Sequence, residues 1–122
     1  MADELSLTLG WKYSKSNRKR TIAPVTTKHD IFAATVVGQV QSIGFSAHEA
    51  LVKGDAGSLG FAWFHNLDGT NFVQIGIDVG STFYPFIKLL AGQYTCCWMG
   101  TSAPYAKADT AAVELDYVLH GV

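Results

Sequence analysis

Histidines stand at positions 29, 48, 65 and 120 and cysteines at 96 and 97, and these are the residues to test first for metal or nucleophilic chemistry. A metal site needs ligands spaced so that they converge, and no His or Cys here lies beside another in a ligand pattern. His29-Asp30 and Glu49 could in principle join a serine in hydrolysis, but there is no Gly-x-Ser-x-Gly elbow to present that serine. Glycoside chemistry requires two carboxylates facing one cleft. Asp55, Asp68 and Asp109 instead fall in turn sequences, and Glu114 and Asp116 alternate with apolar residues on the wet face of a strand. The run Gly54-x-x-Gly57-x-x-Gly60 lacks the Gly-x-Gly-x-x-Gly order of a dinucleotide loop, and no P-loop lysine follows a glycine cluster. The residues thus nominate no catalytic group, no metal and no cofactor, and the chain is expected not to be an enzyme.

What remains is a chemistry of contact. Five of the nine Lys and Arg residues, Lys12, Lys15, Arg18, Lys19 and Arg20, fall within nine positions, beside Trp11, in a chain whose net charge is only −1. This stretch reads either as a solvated loop or as an arm gripping an acidic protein surface or nucleic acid. Only Tyr13 is interleaved as a stacking aromatic, so nucleic acid is the weakest of these partners. The aromatics Trp63, Phe64, Phe83, Tyr84, Phe86 and Trp98 are expected mostly in the core, with a few, Tyr84 and Phe86 among them, anchoring a contact between subunits.

The totals bound the scaffold. A chain of 122 residues reads as one domain, 1–122, with a basic loop or arm at about 12–20. With 48% hydrophobic and 16% charged residues it is far from disorder, and its low charge suggests that some apolar surface meets a partner. The acidic start Met-Ala-Asp-Glu does not resemble a signal peptide, and no apolar run reaches the length of a membrane span, so synthesis and assembly in the cytosol are expected. Cys96 and Cys97 are adjacent in a strand-like run, where successive side chains point to opposite faces, and are poorly placed to pair.

Strand patterns run the length of the chain. Leu5, Leu7, Leu9, Trp11 and Tyr13 alternate with polar residues, so one face should be buried and the other wet. Pro24 demotes Thr21–Thr27 to an edge. Ile31–Ile43 reads as one strand with Gly38 a candidate bulge, and Ser46–Glu49, of capping-box form but too short for a helix, as a turn or 3₁₀ piece. Leu59–His65 places Phe61, Trp63 and His65 on one face and Ala62 and Phe64 on the other, and should form a hairpin with Phe72–Val79 across Asp68-Gly69. Pro85 sends Thr82–Leu89 to an edge or a bulge, Gln93–Met99 is a strand, a polar loop follows, and Ala111–Leu119 is the clearest strand of all. The fold class is all-β: an antiparallel β-sandwich, jelly-roll or immunoglobulin-like, with about seven to nine strands and little or no helix.

Three strings carry a likeness: Phe61-Ala-Trp-Phe-His-Asn-Leu-Asp-Gly-Thr-Asn-Phe-Val-Gln-Ile-Gly, Phe83-Tyr-Pro-Phe-Ile-Lys-Leu, and Pro104-Tyr-Ala-Lys-Ala-Asp-Thr-Ala-Ala-Val-Glu-Leu-Asp-Tyr. They resemble the C-terminal half of small virion structural proteins of tailed bacteriophages, over roughly residues 59 to 120. The resemblance implies a β-sandwich component of the virion and leaves head or tail open. A cement protein needs a rigid sandwich, a symmetric oligomer interface and an arm, so the expectation is a capsid decoration protein bound to the major capsid protein or other virion proteins. It should be a homotrimer or other homo-oligomer, with no nucleic acid and no membrane as partner. Its contacts would be Trp11, Lys12, Lys15, Arg18, Lys19 and Arg20, with Tyr84 and Phe86. A tail, baseplate or fibre-base component involved in host attachment is the alternative, and a small enzyme or carbohydrate-binding module the third class.

Overall fold

A computed structural model describes residues 5–29 and 36–121. Among these, ten strands form three antiparallel sheets and there is no helix. The chain divides into two compact units, one holding β1 and β2 and the other holding β3 to β10.

The first unit is a hairpin of β1 (Leu5–Lys15) and β2 (Arg18–His29). The stretch at about 12–20, expected as a basic loop or arm, is paired strand: Lys15 pairs with Arg18 across a two-residue turn, Ser16-Asn17, with Ser16 at φ 54°. Alternation in Leu5–Tyr13 marked the strand correctly but not its burial, because no residue of the hairpin is buried and Leu9, Trp11 and Tyr13 are about half exposed. A two-stranded ribbon has no second layer to bury its apolar face against. Pro24 sits at a bulge, as a residue without an N–H must. Leu9 pairs with Val25 and Trp11 with Ile22, so Gly10 stands opposite both Ala23 and Pro24. Gly10 is required there, since a Cβ would lie 2.8 Å from the Pro24 nitrogen.

The second unit comprises β3 (Val36–Ile43), β4 (Glu49–Ala50), β5 (Leu59–Asn66), β6 (Val73–Val79), β7 (Thr82–Leu89), β8 (Tyr94–Trp98), β9 (Tyr105–Ala108) and β10 (Val113–Gly121). One sheet has the order β3-β10-β5-β8 and the other β4-β9-β6-β7. Apart from the β6–β7 hairpin, every connection passes from one sheet to the other. Eight strands in this order make a jelly roll. The core lies between the sheets: Ile43, Ala62, Phe64, Val113, Leu115, Tyr117 and Leu119 from the first meet Val73, Ile75, Leu89, Ala106 and Ala108 from the second.

Several expectations change here. Leu59–His65 and Phe72–Val79 do not form a hairpin, because β5 and β6 belong to different sheets. The loop between them is shaped by Asp68, whose Oδ2 accepts the Thr70 (2.9 Å) and Asn71 (2.5 Å) amides. Gly38 is no bulge, since β3 pairs with β10 in unbroken register; residues 31–35 of the expected Ile31–Ile43 strand lie outside the described residues. The polar loop after Met99 contains β9, announced only by the short alternation Tyr105-Ala-Lys-Ala108. Ser46–Glu49 turns without a helix, as expected, and Glu49 accepts the Gly44 amide at 3.1 Å. Pro85 lies on the sheet's edge strand, and the bulge falls beside it: Ile75 pairs with Ile87 but Gly76 with Pro85. A Cβ on Gly76 would fall on the Tyr84 carbonyl oxygen and 2.6 Å from Pro85 Cα, so only glycine permits that approach.

Candidate functional site: a basic hairpin and the open surfaces of a jelly roll

Strand alternation divides the hairpin into two faces. On one face Leu5, Leu7, Leu9, Trp11 and Tyr13 run toward Lys15, and their partners are His29, Thr27, Val25, Ile22, Arg20 and Arg18. This face is therefore apolar along most of its length and basic at its tip. The opposite face carries Ser6, Thr8, Lys12, Ser14, Lys19, Thr21, Thr26 and Lys28, with the Thr8 and Thr26 hydroxyls 2.7 Å apart. Of the expected contact residues, Trp11, Lys15, Arg18 and Arg20 share the first face, and Lys12 and Lys19 lie on the second.

Charge is partitioned between the two units. Residues 5–29 hold six Lys and Arg and no Asp or Glu, a balance of +6. Residues 36–121 hold three lysines against seven acids, a balance of −4. The overall charge near zero conceals this opposition.

Tyr84 and Phe86 lie on β7 of the jelly roll and are more than half exposed. Of the six aromatics expected mostly in the core, only Phe64 is there; Tyr84, Phe86 and Trp98 are exposed, and Trp63 and Phe83 are half buried. Phe86, at the β7 bulge, borders an open groove of about 580 Å³ with Ile77, Val79, Thr101 and Ala103. Asp78 also lines this groove, but its carboxylate is engaged: Oδ2 lies 2.5 Å from His48 Nε2 and Oδ1 accepts the Ser81 amide at 3.1 Å. The His48 hydrogen bond, with help from Ser81, holds the Asp78 carboxyl below the usual carboxylate range. His48 itself stacks on Phe83, with ring centroids 5.3 Å apart. Both oxygens of Asp78 are thus satisfied by the fold, which argues for a structural tie between the β3–β4 loop and the β6–β7 hairpin.

The sequence pattern did not single out the outer face of the β3-β10-β5-β8 sheet. Pairing places Phe61 beside Trp98, Trp63 beside Cys96 and Val118, and His65 beside Tyr94 and Asp116. On β3 the same face continues with Val36, Gly38, Val40 and Ser42, and on β10 with Glu114. Ring contacts link it: Phe61 to Trp98 at 5.4 Å and to His120 at 5.9 Å, Trp63 to His65 at 5.6 Å, and His65 to Tyr94 at 5.7 Å. Val36, Val40, Tyr94 and Trp98 are all at least half exposed, whereas Phe61 is buried beneath its ring neighbours. Monomers rarely leave an apolar surface of this extent open without a use for it. Phe61, Trp63 and His65 were correctly placed on one side of β5, yet Ala62 and Phe64 opposite are also apolar, so alternation could not say which side faced the second sheet.

Among the described residues no group of three or more His, Cys, Asp and Glu is gathered in a way that could hold a metal ion. The cysteines lie on opposite faces of β8 and are unpaired: Cys97 packs toward the core, with its sulfur 3.7 Å from that of Met99, and burial pushes its thiol pKa up. No family model matches the chain, and no curated protein and no solved structure is matched by it either.

Proposed function

We propose that this chain is a structural component of a tailed-bacteriophage virion, a decoration or cement protein that binds the outside of the head lattice and stabilises it. The observation that carries the reading is the pairing of a rigid two-layered body with a separate basic hairpin whose apolar face is exposed. Jelly rolls serve in capsids, lectins and cupin enzymes alike, so the fold alone does not choose among these. The surfaces favour assembly: the exposed aromatics lie on sheet faces and edges, and the single carboxylate in the groove is already bonded on both oxygens. In a lattice, many such copies act together, so contacts that are each modest suffice for stable attachment. The Lys12, Lys19 and Lys28 face of the hairpin, with Tyr84 and Phe86 on β7, supplies contacts toward the major capsid protein.

Quantitative mass spectrometry of purified heads and purified tails tests the reading. A copy number comparable with that of the major capsid protein, on heads, is the expected result. A few copies confined to tails would make it a tail or baseplate component instead.

A further inference from the structure

Four observations bear on how copies of this chain meet. First, the hairpin face of Leu5, Leu7, Leu9, Trp11, Tyr13, Ile22 and Val25 is uncovered within its own unit, and a lone two-stranded ribbon is marginal in water. Second, the outer face of the β3-β10-β5-β8 sheet is aromatic, with Val36, Val40, Tyr94 and Trp98 at least half exposed around a buried Phe61. Third, both faces are graded in the same sense. Along the hairpin, apolar rows give way to Arg20, then Lys15 and Arg18, at the tip. Along the sheet, the rows of His120, Phe61 and Trp98 and of Val118 and Trp63 give way to Asp116 and then Glu114. Fourth, His48–Asp78 is the one ion pair among the described residues, so Lys15, Arg18, Arg20, Glu114 and Asp116 form none with one another or with their neighbours there.

We infer that copies of this chain assemble by laying the apolar-to-basic face of one copy's β1–β2 hairpin on the aromatic-to-acidic outer face of a second copy's β3-β10-β5-β8 sheet. Lengths agree: at about 3.4 Å per residue the eleven residues of β1 span about 37 Å and the nine of β10 about 31 Å. The registers of charge agree as well. Tyr13 lies four positions from Leu9 and Asp116 four positions from His120, so a tip seated over the acids places Trp11 and Leu9 over the Trp63 and Phe61 rows. Apolar burial supplies the affinity, while the basic tip over Asp116 and Glu114 sets direction and register. The +6 and −4 balances of the two units also oppose a hairpin-on-hairpin or sheet-on-sheet arrangement of copies. The Lys12 and Lys19 face of the hairpin stays outward, free for a shell.

The test uses full-length protein alone and so is independent of where the protein sits on a particle. Two variants are made, Arg18→Glu with Arg20→Glu, and Glu114→Arg with Asp116→Arg; all four positions lie on the surface, and circular dichroism confirms that each variant folds. Analytical ultracentrifugation should find wild type self-associated and each variant weakened on the order of a hundredfold. An equimolar mixture of the two variants should associate again, since each then offers the other a complementary face. A monomeric wild type, variants that self-associate as wild type does, or variants that stay apart when mixed would each overturn the inference.

Discussion

Tyr117 and Gln41 meet at the margin of the jelly-roll core, where the Tyr117 hydroxyl lies 2.9 Å from Gln41 Oε1 and donates to the Val52 carbonyl at 2.6 Å. Gln41 in turn accepts the Val52 amide at 2.9 Å and donates to Glu49 and to the Ala50 carbonyl, both at 3.1 Å. One small network thus ties β10 and β3 of one sheet to β4 of the other.

Tyr117→Phe should destabilise the protein by about 1 kcal/mol, because the ring stays packed while the Val52 carbonyl loses its donor. Urea unfolding measures the loss. Burial raises the Tyr117 pKa from its ordinary 10.0 to about 12. With the folded value above the unfolded one, the associated stability is complete below about pH 10 and lost as pH rises toward 12; the Phe variant should lack that alkaline decline.

Asn66 is the one buried polar side chain of the described residues. Its amide donates to the Asn71 (2.9 Å) and Leu89 (3.1 Å) carbonyls, and its oxygen accepts the Asp68 amide at 2.9 Å. Asn66→Ala should therefore cost about 2–4 kcal/mol in the same assay, and Asn66→Asp more, since a carboxylate would face two carbonyl oxygens.

Gly76→Ala should destabilise by about 2–3 kcal/mol, because its methyl would collide with backbone of β7 and not with a side chain that can turn away. Thermal melting of the variant beside Gly69→Ala, where a methyl meets nothing within 4 Å, separates the clash from the general effect of removing a glycine.

Acid should weaken the fold in two windows. Burial holds the His120 pKa below its ordinary 6.5, so the unfolded chain takes up that proton first and stability falls as pH drops below about 6.5. Asp68 and Asp78 are held below the ordinary 3.8, chiefly by the Asn71 amide and by His48 respectively, so their contribution is present above pH 3.8 and lost beneath it. His120→Gln should flatten the first window and Asp78→Asn part of the second, as read from unfolding midpoints across pH.

The thiols should react at different rates. Cys97 faces the core with its pKa raised, so a thiol reagent should label Cys96 first and Cys97 only on unfolding, which peptide mapping after timed alkylation would show.

How much of this was readable in the residues varies by element. Period-two alternation in Val113–Leu119 located β10 and its inward side correctly, and Pro85 marked an edge, because both signals are local. The β5–β6 connection looked like a hairpin since Asp68-Gly69 is a good turn, but which sheet receives a strand is decided by packing far along the chain. The hairpin charges at 12–20 were plain as composition; that they form paired strands depends on Gly10, Pro24 and the Ser16-Asn17 turn acting together. The aromatic outer face was hidden for a different reason: β5 is apolar on both sides, and alternation has nothing to say when both sides look like core.

The position of β10 between β3 and β5 also constrains how the molecule is made. A chain leaving the ribosome presents β3 and β5 long before the strand that must lie between them, so until β10 emerges two hydrogen-bonding edges stand open. The sheet closes only when the final strand slots in, at large sequence separation from β3, which favours slow, late and all-at-once folding over growth strand by strand.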